Sequence, residues 1–283
     1  MATSVNVDHI IIAVEDLEAS EKTCGLLLGH KPGWRGQHPQ YGTHNALFRL
    51  DNTYLELLAI DQRLQPANNW LVTALTNHLQ ANGEGLFGLV FGTDDLARLA
   101  EQMRKQGVSV SSPSAGYGSD FSGQHYRNWE TITWKPAVAR HIFSFAICHN
   151  SSVPAAEPVA EERVTGVDHL VIHSSDAQAA RRFYRDILGI RLALERPWDD
   201  QTLLFFRTSH MSIEVMAADR FDRKRDRLWG LALRTDNLAG LRDRLLKSNI
   251  EVSEIRDGRK EGTLVCTVKS GSLGIPVLLI QHL

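Results

Sequence analysis

The chain has 283 residues, long for one domain and natural for two, and its 31 Lys and Arg nearly balance 33 Asp and Glu. Without a basic cluster, that balance excludes nucleic acid and an anionic membrane as expected partners. Cys24, Cys148 and Cys266 are dispersed and odd in number, no window approaches a membrane span, and Met1 to Asn6 lacks a leader pattern, so the expectation is a cytoplasmic protein without disulfides.

The chain opens on an apolar strand, Val7-Asp8-His9-Ile10-Ile11-Ile12, that carries one imidazole. A helix follows from a cap at Asp16 and closes at Gly29. Ala46 to Leu50 and Tyr54 to Ala59 then read as two short strands broken by Asp51-Asn52. Trp70, Ala74, Leu75 and Leu79 fall at helical spacing and predict a connecting helix.

A second strand and helix begin at Gly88, with Leu96, Leu99, Ala100 and Met103 at helical spacing. The stretch from Ser111 to Lys135 holds Tyr117, Phe121, Tyr126, Trp129 and Trp134, and reads as a long aromatic loop. Such a loop serves as a lid, a pocket wall, a satellite hydrophobic cluster or the contact of a homodimer. Residues 151–165 are rich in Pro, Ala, Ser and Glu and read as a linker between a first domain, 1–150, and a second, 166–283.

The second half repeats the first. Val167-Asp168-His169-Leu170 echoes Val7-Asp8-His9-Ile10, Gly189 echoes Gly29, and Gly230 to Ala239 echoes Gly88 to Ala97. Leu203 to Arg207 and Met211 to Met216 repeat the two short strands, with Glu214 standing where Glu56 stands. The chain therefore reads as α+β, with four modules that each begin with a strand and a helix capped at Asp16, Asp94, Asp176 and Asp236.

The Val-Asp-His strands, the helices ending in Leu-Gly and the Glu within Tyr54-Leu55-Glu56-Leu57-Leu58 resemble the vicinal oxygen chelate superfamily, which includes glyoxalase I, extradiol dioxygenases and bleomycin-binding proteins. The first half is also similar to a glyoxalase-like domain family that carries an Arg/Gln-His-Pro-x-x-Gly-Thr-x-Asn segment, here Gln37-His38-Pro39-Gln40-Tyr41-Gly42-Thr43-His44-Asn45. The resemblance implies four βαβββ modules arranged as two paired glyoxalase-like domains with concave mixed sheets. It also implies that His9 with Glu56, and His169 with Glu214, hold a divalent metal.

Imidazole with carboxylate suits Zn, Mn, Fe, Co or Ni better than Ca or Mg. Such an ion would polarise vicinal oxygens of a small metabolite, the opening step of lyase, isomerase and dioxygenase chemistry. Modules 2 and 4 are ligand-poor in this comparison, with Gly88 and Ser144 or Phe145, and Gly230 and Leu278, at the matching places. His169 and His173 lie about 13 Å apart along one strand face, as do His210 and Glu214, too far to share an ion unless the strand bulges. His38, His125, His141 and His149 are the candidate third ligands of the first half, and facing modules 1 and 3 would bring both His/Glu pairs together.

Substrate contacts are expected from His38, Thr43, Asn45, Trp129 and His141. The alternative reading is a metal-free protein of the bleomycin-resistance kind that sequesters a small molecule. In that case His9 donates to a backbone carbonyl and Glu56 pairs with Arg35 or Arg49.

Overall fold

A computed structural model describes residues 4–64 and 70–283. Met1 to Thr3, part of the stretch read above for a leader, lie outside the described residues.

The first half runs β1 (Asn6–Ala13), α1 (Leu17–Leu28), β2 (His30–Lys31), β3 (Trp34–His38), β4 (Thr43–Arg49), β5 (Tyr54–Ile60), α2 (Trp70–Asn82), β6 (Gly85–Gly92), α3 (Leu96–Lys105), β7 (Ser114–Asp120), β8 (Tyr126–Thr133) and β9 (Phe143–His149). Its strands close in the order β1-β5-β4-β3-β7-β8-β9-β6, with β6 returning to β1. Modules 1 and 2 thus form one barrel, joined by the β1–β6 and β3–β7 ladders. Modules 1 and 3 do not face each other, against that expectation: module 3 lies in a different sheet, because each module completes its curl with its sequence neighbour.

The aromatic stretch from Ser111 to Lys135 is no free loop. It supplies the β7–β8 hairpin of the barrel wall, where Trp129 and Trp134 are buried while Tyr117, Phe121 and Tyr126 stay exposed. Trp129 and Tyr126 stand on opposite faces of one strand, Trp129 toward the barrel interior, while Trp134, just past β8, is buried in the core outside it.

The second half runs β10 (Glu157–Pro158), β11 (Gly166–Ser174), α4 (Ala177–Ala180) continued by a π-helical turn over Arg181–Ile187, β12 (Arg191–Trp198), β13 (Gln201–Arg207), β14 (Ser212–Ala217), β15 (Arg227–Arg234), α5 (Leu238–Lys247), β16 (Arg256–Asp257), β17 (Thr263–Val268) and β18 (Val277–His282). Modules 3 and 4 share one open sheet, β12-β13-β14-β11-β15-β18-β17-β16. It stays open where the first half closes because β16, the counterpart of β7, is only two residues long.

The helix starts differ slightly from their sequence reading. Asp16 and Asp176 cap their helices as expected, but the other two caps are Asp95, whose side chain accepts from Arg98 N–H, and Asn237, which accepts from Gly240 N–H. Asp94 and Asp236 sit one place too early to reach the free N–H groups of the first turn. Gly29 and Gly189 end their helices in the left-handed conformation, at φ 75° and 76°, where a side chain would be strained.

A continuous apolar core crosses both halves. Phe91 of the barrel meets Phe183 and Tyr184 of module 3 at ring-centroid distances of 6.0 and 6.4 Å. Each such buried side chain contributes about 1.5–3 kcal/mol. The connecting segment is held down as well: Glu157 and Pro158 pair with Lys31 and His30, Ala156 N–H donates to Arg49 C=O, and Arg49 donates to Val153 C=O. No helix of the described residues is long and apolar enough to cross a membrane.

Candidate functional site

The site begins with an irregularity in β1. Its register against β6 shifts between Val7 and His9, so Asp8 is the extra residue of a β-bulge. A bulge lets two successive side chains share a face that regular alternation would separate. Gly92 makes the room, since a Cβ there would lie 3.2 Å from Asp8 Oδ2.

His9 consequently sits between two carboxylates. Its Nδ1 lies 2.6 Å from Asp8 Oδ1, and its Nε2 lies 3.2 Å from Glu56 Oε2. Glu56 arrives from β5, which runs parallel to β1 with Tyr54 opposite His9 and Glu56 opposite Ile11. The Tyr54 ring stacks on the imidazole at 4.4 Å. Asp8 also accepts from His149 Nε2 at 3.0 Å, and Glu56 Oε1 accepts from Asn45 Nδ2 at 2.6 Å. The result is a chain, His149–Asp8–His9–Glu56–Asn45, buried from His9 to Asn45 and half-buried at His149 and Asp8. Arg35 and Arg49 are engaged with Glu21 and Val153 instead, so neither pairs with Glu56.

Burial disfavours the imidazolium of His9, but the Asp8 and Glu56 carboxylates outweigh it and raise its pKa to about 9. Burial likewise pushes Glu56 up, yet His9, His38 and Asn45 bring it down to about 2. Asp8 is held well below the usual carboxylate range against its own burial, by His149 and His9. In the metal-free protein the core of this chain is therefore an ion pair.

His38 stands next to it as a neutral base. Burial lowers its pKa, helped by Arg127 and His9. Its Nδ1 donates to Thr43 Oγ1 at 3.0 Å, and its Nε2 accepts from Asn45 Nδ2 at 3.3 Å. Both partners are buried, as is the imidazole.

These groups line a cavity of about 90 Å³. His9, His38, Asn45, Glu56 and His149 supply its polar wall together with Arg127, while Tyr41, Tyr54, Trp70, Trp129, Phe143 and Phe145 supply aromatic walls. Thr43 reaches the cavity through His38. His141 does not: it is exposed, in a left-handed turn at φ 69°, and faces the cleft between the two halves. His125 is exposed and paired with Asp120.

The second half repeats the frame and loses the pocket chemistry. Asp168 is again a bulge residue, with His169 Nδ1 at 2.8 Å, His169 Nε2 lies 3.3 Å from Glu214 Oε2, and His282 Nε2 lies 2.6 Å from Asp168 Oδ2. Ladder register pairs Leu47 with Glu56 and Phe205 with Glu214, which puts Leu203 in the place of Asn45 and Trp198 in the place of His38. Burial dominates at Glu214 and raises its pKa, whereas at Glu56 the contact with His9 foremost, and Asn45 least, outweighs burial and lowers it. His173 is stacked between Phe221 and Trp229 at 4.1 and 4.9 Å, away from any ligand role beside His169.

The donor set can be tested against an ion. Two donors 3.2 Å apart would subtend an angle of about 100° at an ion bound at about 2.1 Å, an ordinary coordination angle. Asp8 on the remote ring nitrogen is the orienting partner that metal-bound imidazoles usually have. Among the described residues no group of three or more His, Cys, Asp and Glu is arranged to hold an ion. Module 2 explains the shortage, since register puts Gly88 and Phe145 where module 1 has His9 and Glu56. The residues thus fit an ion as a two-donor site whose remaining positions go to water and substrate.

Asp8, Tyr54 and Arg127 belong to this site and carry no assigned role in the sequence reading. Alternation along β8 is the signal that finds Arg127, because Arg127, Trp129, Thr131 and Thr133 share one face and all line the cavity.

Residues 7–188 match the glyoxalase-like domain family, and residues 168–267 match the glyoxalase/bleomycin resistance protein/dioxygenase superfamily. No functionally curated protein matches the chain. Among solved structures, a mutant of 4-hydroxymandelate synthase from Streptomyces coelicolor is similar at 14% identity and a TM-score of 0.69, over 100% of this chain and 93% of that one. A hypothetical protein from Staphylococcus aureus is similar at 13% identity and a TM-score of 0.67, over 98% and 99% of the two chains. The Mn(II)-bound glyoxalase from Novosphingobium aromaticivorans is similar at 13% identity and a TM-score of 0.63, over 99% and 83%. At these identities the structural likeness speaks for the fold alone.

Proposed function

The chain belongs to the glyoxalase-like domain family, and from that membership we propose that its N-terminal barrel is a metal-assisted enzyme acting on a small oxygenated metabolite. The observation that carries the reading is the 3.2 Å approach of His9 Nε2 and Glu56 Oε2, with Asp8 bonded to the other ring nitrogen. His9 and Glu56 would hold a divalent ion of the Zn, Mn, Fe, Co or Ni kind. When bound, the ion supplies Lewis acidity that polarises vicinal oxygens of the substrate.

The remaining work falls to the protein. Asp8 keeps the imidazole in the orientation that presents Nε2. His38, held neutral by burial, is a base able to take a proton at Nε2 once Asn45 turns from it. The aromatic walls exclude water and strengthen each electrostatic contact within. Lyase, isomerase and dioxygenase reactions share this starting complex, and the N-terminal cavity is its proposed seat, with the second half in a supporting role.

Because His9 is an imidazolium at neutral pH, binding an ion must expel its proton. Titrating Mn, Fe, Zn, Co and Ni by calorimetry in buffers of different ionisation enthalpy tests this directly. Release of close to one proton per bound ion at neutral pH supports the reading, and the absence of binding by every ion opposes it.

A second reading is favoured by the same ion pair, since both ring nitrogens of His9 are satisfied without a metal. The barrel would then be a metal-free binding protein that sequesters a small molecule in its aromatic cavity. Ligand binding that is indifferent to chelator would select it.

A further inference from the structure

Arg127 is the least satisfied group in the cavity. It is 6% exposed, its Nε and Nη2 have no hydrogen-bond partner, and no carboxylate among the described residues pairs with it. The Trp34 ring lies 5.7 Å from the guanidinium carbon. The nearby carboxylates are committed, Asp8 to His9 and His149, and Glu56 to His9 and Asn45. A buried charge without a counter-ion is disfavoured, and a bound anion removes that cost. Asn45 Oδ1, on a residue 1% exposed, is a second unpartnered polar atom of the same wall, and it is an acceptor.

We infer that the cavity receives a small hydroxy acid, its carboxylate held by Arg127 and its hydroxyl donated to Asn45 Oδ1. A guanidinium fork matches a carboxylate with two parallel N–H···O bonds. One carboxylate also suits the charge of the cavity. Arg127 is the one charge of the wall without a counter-ion among the described residues, so a monocarboxylate matches it and a phosphate dianion overshoots it. The second half has no such residue: Thr263, the first residue of β17, faces His282 as Trp129 faces His149, so the strand stops before a counterpart of Arg127. This inference rests on reading the cavity as the ligand site, and it is independent of whether an ion sits at His9 and Glu56.

The test uses the full chain and thermal unfolding at constant ionic strength, with lactate, propionate, lactamide and inorganic phosphate as probes and chloride as control. Lactate is expected to raise the midpoint most, propionate less, and lactamide not at all. Arg127→Gln should weaken lactate at least about ten-fold, the usual worth of a charge-assisted bond, while its unliganded midpoint stays equal or rises because an unpaired buried charge is gone. Indifference to lactate, equal response to lactamide, preference for phosphate, or an Arg127→Gln variant that no longer folds would each overturn the assignment. Metal content measured on the same preparations separates the two readings. Lactate binding that depends on Arg127 without any metal contradicts only the metal site, and metal without an Arg127-dependent anion effect contradicts only the hydroxy acid.

Discussion

Asn45 donates to Glu56 across 2.6 Å, a bond that has no counterpart at Glu214 of the second half. Glu56 and Glu214 face their histidines at nearly the same distance, 3.2 and 3.3 Å. Only Glu56 has an amide beside it, because Leu203 occupies the corresponding position in the second half. Replacing Asn45 with Leu should therefore make the first site resemble the second. The expected outcome is a loss of about 1–3 kcal/mol of stability in denaturant titration, the cost of an unmet buried acceptor, with a raised Glu56 pKa and weaker metal binding.

The pH dependence of metal binding follows from His9. Its folded pKa of about 9 lies above the ordinary 6.5, so between these values the proton must leave before an ion can bind. Metal affinity should climb about ten-fold per pH unit toward pH 9 and level off beyond it. Competition with a chelating dye across pH 6 to 10 reads the slope, and a flat profile would contradict it.

Metal-free stability runs the other way at high pH. A raised histidine pKa contributes stability that is full below about 6.5 and is lost as pH rises through about 9. The lowered pKa of Glu56 contributes stability that is present above about 4.5 and is lost as pH falls through about 2. Urea midpoints of the metal-free protein should hence form a plateau that falls on both sides, and Glu56→Gln should flatten the alkaline limb by lowering the pKa of His9.

The connecting segment gives a structural prediction. Gly33 lies so close to it that a Cβ would stand 2.2 Å from Ala155 C=O. Gly33→Ala should push the segment off the barrel and cost on the order of 1–3 kcal/mol. Earlier proteolysis within 151–165 would be the companion signature, while a variant as stable and as protease-resistant as the parent would show that the contact is dispensable.

Much of this architecture is legible in the sequence because it is written twice. The repeat of Val-Asp-His, Leu-Gly and a late strand Glu gives the α+β fold of four βαβββ modules, and the ladders then bring His9 to Glu56 and His169 to Glu214. What the sequence hides is register. The bulge at Asp8 turns a residue that alternation would point outward into the partner of His9, and no residue type announces it. Closure is hidden too, since the aromatic stretch becomes barrel wall only once β7 pairs with β3. Arg127 acquires its meaning from that closure, and His141 loses the one expected of it because its backbone turns away toward the cleft between the halves.

The proposed site holds one ion, in the first half, on His9. The most direct measurement is metal content by mass spectrometry on protein purified without chelator or metal-affinity resin, beside His9→Ala and His169→Ala. Near-stoichiometric metal in the parent and in His169→Ala, lost in a folded His9→Ala, is the predicted result. Metal retained by His9→Ala, or none in the parent after Mn, Fe, Zn, Co and Ni have been offered, would rule out a metal site on His9.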